Sequence, residues 1–237
     1  MLLLNPRSSA TARTSAASRL CHIARPRAGA MQVVSTMAGA IPALISMLRD
    51  TSGIAGQKIA ATALALIAVA EENQKAIAEA GGLDVLIMQM RSGNTIVKER
   101  SAQAMVLLSD APKLRLRIAE CGGINALIQL LQMGSSAAKI HAACAIANLA
   151  GHERCQVLIG ERGGLLPLLE LLRNGSCQAK GNAAQAIALL AMKNDANEKE
   201  LVDRGAVPAL QELLRSVSRD SALAQKAASA LEVLHHS

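Results

Sequence analysis

Apolar positions recur along this chain in a three-part pattern, and the pattern itself repeats. Five segments open on a glycine and continue with Leu, Ile and Val at helical spacing: Gly39-AIPALISML, Gly81-GLDVLIMQM, Gly122-GINALIQLL, Gly163-GLLPLLELL and Gly205-AVPALQELL. In one of them Leu165, Leu168, Leu169 and Leu172 fall at i, i+3, i+4 and i+7, which buries one face of a helix. A short amphipathic stretch precedes each glycine: QVVSTMA, QKAIAEA, RLRIAEC, QVLIGER and ELVDR. A longer Ala-rich stretch follows each loop: AATALALIA, SAQAMVLLS, AACAIANLA, AAQAIALLA and AASALEVLH. The glycines are spaced by 42, 41, 41 and 42 residues, so five copies of one unit succeed each other.

Each part of the unit has a physical reason. The glycine ends the short first helix where a left-handed backbone is wanted. Pro42, Pro167 and Pro208 lie three or four residues past it, in the first turn of the second helix, where a missing N–H costs nothing. Loops such as Gly134-Ser135-Ser136 and Asn174-Gly175-Ser176 divide the second helix from the third. Small residues on the third helix allow close approach of its neighbours. The predicted fold is all-α, a right-handed α-solenoid of about five three-helix repeats, each burying a face against the next. The repeats are expected near 31–72, 73–113, 114–154, 155–195 and 196–237, so that the array fills 31–237 behind a disordered basic leader over 1–30.

The unit GGINALIQLLQMGSSAAKIHAACAIANLA (122–150) and its copies resemble the armadillo repeat family. That resemblance implies a non-catalytic scaffold that binds an extended peptide along a concave groove lined by third helices. In the family an Asn of the third helix bonds the peptide backbone. The matching positions here are Leu66, Leu107, Asn148, Leu189 and Val233, so one of five is Asn. The tryptophans of importin-type relatives are absent, which counts against a nuclear-import adaptor. The stripe containing this position reads Ile59-Thr62-Leu66, Arg100-Gln103-Leu107, His141-Cys144-Asn148, Asn182-Gln185-Leu189 and Lys226-Ser229-Val233. It holds no carboxylate. Arg100, Gln103, His141, Asn148, Asn182, Gln185 and Lys226 are therefore the candidate groove residues, for an acidic or polar protein or peptide partner. The alternative of another class is the substrate-binding array of a larger ubiquitin ligase.

Composition narrows the field. Among 237 residues there is no Phe, Tyr or Trp, which removes aromatic platforms for bases and cages for cations. The net charge of +7 is a local matter, because residues 1–49 carry six Arg and no acid while the remainder is nearly neutral. A neutral array gives no basic face for nucleic acid. The run Ala60–Ala70, with Thr62 inside it, is far shorter than the roughly 18 residues that span a bilayer. The Arg- and Ser-rich, acid-free residues 1–30 have two readings: a basic tail on a cytoplasmic protein, or a transit peptide for a mitochondrion or plastid.

Chemistry is scarce. Five cysteines at 21, 121, 144, 155 and 177 form no C-x-x-C pair and read as small core residues in a reducing compartment. His141-x-x-Cys144 and His152-x-x-Cys155 have ligand spacing, yet they belong to different elements, and no metal or other cofactor is expected. Phosphate-loop, nucleophile-elbow and zinc-protease signatures are missing. Glu79, Glu120, Glu161 and Asp203 recur once per repeat, a regularity that marks structure rather than a catalytic pair. No enzyme is expected.

Overall fold

The computed structural model describes residues 9–23, 39–50, 53–218 and 220–234. Every regular element among the described residues is an α-helix, fifteen in all. They belong to two compact units, Met1–Leu114 and Arg115–Ser237. The first holds α1 (Ala10–Ile23), α2 (Ala40–Arg49), α3 (Ile54–Ile67), α4 (Glu71–Glu79), α5 (Gly82–Ser92) and α6 (Thr95–Asp110). The division falls within α7 (Pro112–Glu120). The second holds α8 (Gly123–Met133), α9 (Ser136–Leu149), α10 (Glu153–Glu161), α11 (Leu165–Asn174), α12 (Cys177–Ala191), α13 (Asp195–Asp203), α14 (Ala206–Ser216) and α15 (Ala222–Leu234). From α4 onward the helices form triplets of short, middle and Ala-rich members. In the first repeat α2 and α3 are the second and third members. Its short helix, expected near Gln32–Ala38, lies outside the described residues.

Local chemistry sets the corners. Gly39, Gly81, Gly122, Gly163 and Gly205 all have φ between 74° and 90°, where a Cβ would be strained, so the chain can turn sharply between first and second helices. At the next corner a different constraint acts on Gly134, whose φ is −75°. A Cβ there would collide with the carbonyl of Leu130, so only hydrogen allows the tight turn. Ser135 then caps α9 by accepting from the N–H of Ala138 at 3.2 Å. Asn94 and Ser176 do the same for α6 and α12, taking the N–H of Val97 at 3.1 Å and of Ala179 at 3.3 Å.

Packing follows the two apolar patterns. In α8, Ile124, Leu127 and Leu131 are buried, and each such side chain contributes roughly 1.5–3 kcal/mol relative to exposure. The third helices instead bury alanines: Ala142, Ala143 and Ala145 of α9 and Ala183, Ala184 and Ala186 of α12 have no exposed surface. These flat faces let α9 lie on α12 and α12 on α15, while α8, α11 and α14 form a parallel layer. In the first unit α3 packs on α6 and α2 on α5 in the same way.

The leader departs from the expectation of a disordered tail. Residues 10–23 form α1, and α1 packs against α3. Ser9 accepts from the N–H of Ala12 at 3.2 Å to start the helix. No Gly or Pro interrupts it, since Pro6 and Pro26 lie beyond both ends. Ala16 and Ala17 are buried, and Arg13 Nη2 lies 3.7 Å from Asp50 Oδ2. Composition signalled a leader, but the alanine pair that docks it is too short a signal to stand out in an Ala-rich chain.

Candidate peptide-binding face

The stripe read from the sequence is the solvent-facing side of the third helices. None of its fifteen members is buried, whereas the alanines beside them on the same helices are. Each unit carries its own share. In the first, Arg100 is exposed and donates from Nη1 to Gln103 Oε1 at 2.8 Å, so these two candidates face each other along α6. Ile59, Thr62, Leu66 and Leu107 complete that share, all half-buried.

In the second unit α9 supplies His141, Cys144 and Asn148, all half-buried. Asn182 of α12 is also half-buried, and its Nδ2 donates to the Ile140 carbonyl at 3.1 Å. That bond ties two neighbouring third helices together, which gives Asn182 a structural task beside any ligand. Gln185 and Lys226 come together with Leu189, Ser229 and Val233 around a hollow of about 370 Å³ between α12 and α15. Among the described residues Lys226 has no acidic partner in an ion pair, and neither has Arg100.

Buried polar residues of the first helices form a second constellation. Gln74 Nε2 donates to the carbonyls of Ala68 at 2.9 Å and Leu107 at 3.1 Å. Gln156 Nε2 donates to those of Ala150 and Leu189, both at 2.9 Å. Asn197 Nδ2 donates to Gln156 at 3.1 Å and Leu190 at 3.0 Å. All of these acceptors except Gln156, which lies inside α10, sit at or just past the C-terminal ends of helices, where carbonyls lack intrahelical partners. A Cβ on Gly160 would overlap the Asn197 amide, so that glycine makes room for the bond. These residues were missed in the sequence because they sit on first helices, away from the groove stripe. Their register was the available signal: Gln74, Arg115, Gln156 and Asn197 follow one another at 41-residue steps.

Cys155 belongs to this inner layer. It has no exposed surface, and burial pushes its thiol above the ordinary value; nearby Arg115 opposes the rise and Glu120 adds to it. Its Sγ lies 3.8 Å from the Arg115 carbonyl. Such a thiol is a packing group. Among the described residues no cluster of three or more His, Cys, Asp or Glu could hold a metal ion.

Residues 111–151 match the family described as the Armadillo/beta-catenin-like repeat. An engineered protein solved by structural genomics is 32% identical, with a TM-score of 0.89 over 98% of this chain and 94% of that one. The chain is an armadillo-repeat protein. Two designed armadillo repeat proteins, each 28% identical, are similar along the whole chain. One, solved in complex with the peptide (KR)4, has a TM-score of 0.88 over 99% of this chain and 97% of its own. The other, computationally designed for modular peptide recognition, has a TM-score of 0.89 over 98% and 97%. No curated protein matches the chain significantly.

The armadillo assignment gives meaning to the departure at the asparagine position. Where Leu107 and Leu189 stand in its place, the carbonyls of those leucines accept from Gln74 and Gln156. The same register therefore carries bonds that hold a repeat's first helix to the end of its own third helix, while the second bond of each amide, to Ala68 or Ala150, reaches the preceding repeat. Among the described residues no helix is long and apolar enough to cross a membrane.

Proposed function

We propose that this armadillo protein is a non-catalytic scaffold that binds an extended, acidic or polar segment of a partner along its third helices. The observation that carries this reading is the makeup of the solvent-facing stripe. It offers Arg100 and Lys226 as cations, the His141 imidazole and the amides of Gln103, Asn148, Asn182 and Gln185 as hydrogen-bonding groups, and no carboxylate. A designed relative takes a (KR)4 peptide. Here a stripe with cations and no acid favours the opposite sign of ligand by charge complementarity. Amides and the half-buried Leu189 and Val233 add hydrogen bonds and apolar contact to a strand-like ligand. The test is fluorescence anisotropy with two labelled octapeptides, alternating Glu-Ser and alternating Lys-Arg. The Glu-Ser peptide is expected to bind at least about tenfold tighter, with the margin shrinking as salt screens the charges. Tighter binding of the Lys-Arg peptide would overturn the reading.

A further inference from the structure

Helix α1 stands where a third helix of one more repeat would stand. Successive third helices pack directly on each other, α3 on α6 in the first unit and α9 on α12 in the second, and α1 packs on α3 in the same manner. Its sequence shares the register. The pair Ala16-Ala17 is buried like Ala60-Ala61 of α3 and Ala183-Ala184 of α12. Aligning these pairs puts Ser15 and Ser18 on the stripe, at the places held by Ile59 and Thr62 on α3. Ser15 and Ser18 are exposed and half-buried respectively, as stripe residues are elsewhere.

Between α1 and α3 lies a hollow of about 740 Å³, lined by Arg13, Ser15, Ser18, Arg19, Asp50 and Ile59 among others. It is the counterpart of the hollow between α12 and α15, since both are bordered by stripe residues of adjacent third-type helices. Its charge is lopsided. Two guanidiniums face one carboxylate; Arg13 reaches that carboxylate at 3.7 Å while its buried Nε has no hydrogen-bond partner. Arg19 is exposed and has no ion-pair partner among the described residues. Serine hydroxyls beside arginines make a donor-rich lining suited to a carboxylate.

We infer that the leader helix caps the first repeat and adds a basic subsite to the groove, where Arg19, Ser15 and Ser18 receive a carboxylate of the acidic partner segment. The capping half stands on packing alone; the subsite rests on the groove reading for its ligand. A leader with this task is part of the working protein rather than a detachable tail.

Thermal melting and peptide anisotropy on the full chain and its variants separate the two halves. Removing residues 1–24 is expected to lower Tm by about 5 °C or more, the scale of losing one packed helix from a chain of this size. Ala17→Glu, which forces a carboxylate into the α1–α3 contact, is expected to do the same. An unchanged Tm in both would overturn the cap. Arg19→Glu is expected to leave Tm within about a degree and weaken the Glu-Ser octapeptide roughly fivefold, less so at high salt. If Lys226→Glu weakens that peptide while Arg19→Glu does not, the groove reading stands and the subsite is overturned. If the unaltered chain does not bind the peptide, both fall and the melting arm still decides the cap.

Discussion

The Gln156 amide donates to the Leu189 carbonyl at 2.9 Å, so a side chain of one armadillo repeat's first helix holds the end of that repeat's third helix. Through its second bond, to Ala150, the same Nε2 also grips the preceding repeat. Gln74 makes the matching pair with Ala68 and Leu107 in the other unit. Gln156→Leu keeps the volume and deletes both bonds, leaving two carbonyls without their donor. A loss of about 1–3 kcal/mol in urea unfolding is expected. A loss below about 0.5 kcal/mol would mean that these bonds do not couple repeats.

Position in the second helix decides how much a leucine matters. Leu131 is 3% exposed, while Leu214, its counterpart in the last repeat, is half-buried. Leu131→Ala is expected to cost about 2–5 kcal/mol through lost transfer energy and a residual cavity. Leu214→Ala is expected to cost less than half of that, measured by the same denaturant titration.

Two glycines predict opposite signs. At Gly122, with φ of 82°, alanine is strained, and Gly122→Ala is expected to cost roughly 1–2 kcal/mol. Gly181 lies inside α12, and an added Cβ would meet Leu223 and Lys226 at 3.5 and 3.6 Å, ordinary contact. Gly181→Ala is therefore expected to stabilise by roughly 0.5–1 kcal/mol through the unfolded chain's lost freedom. Calorimetric melting of both variants checks the contrast.

The buried Cys155 thiol predicts a pH effect. Its pKa is raised in the folded state, so the folded chain holds the proton after the unfolded chain has begun to release it. Its contribution is fully present below the unfolded thiol's pKa of about 8.5 and is lost as pH rises through the folded value. Stability is expected to fall above about pH 8.5, and Cys155→Ala is expected to flatten that slope. In the native state a thiol reagent should label exposed Cys177 well before Cys155.

The repeat was legible because glycine corners and apolar faces are local and periodic. Gly122 and the run to Leu131 announce a turn and a helix without reference to anything distant. The exposed stripe was legible for the same reason, since period alone places Gln185 and Asn148 on one side of their helices. What escaped were contacts that depend on a partner elsewhere in the chain. Period places Asn182 on the groove stripe, while its bond to the Ile140 carbonyl is set by how two third helices meet. Gln74 and Gln156 look like surface polar residues until packing buries them. Helix α1 lacks the periodic Leu/Ile face of the second helices, and the alanines it buries, Ala16 and Ala17, meet α3 only through the fold.

The central claim is that a partner segment lies along the third helices. Methyl NMR with a nitroxide-labelled Glu-Ser octapeptide tests it directly, because Leu189 and Val233 belong to the stripe while exposed Leu166 and Val202 lie on a second and a first helix. The account predicts that the bound label broadens the Leu189 and Val233 methyls and spares those of Leu166 and Val202. Broadening of Leu166 or Val202 with Leu189 and Val233 untouched would contradict it.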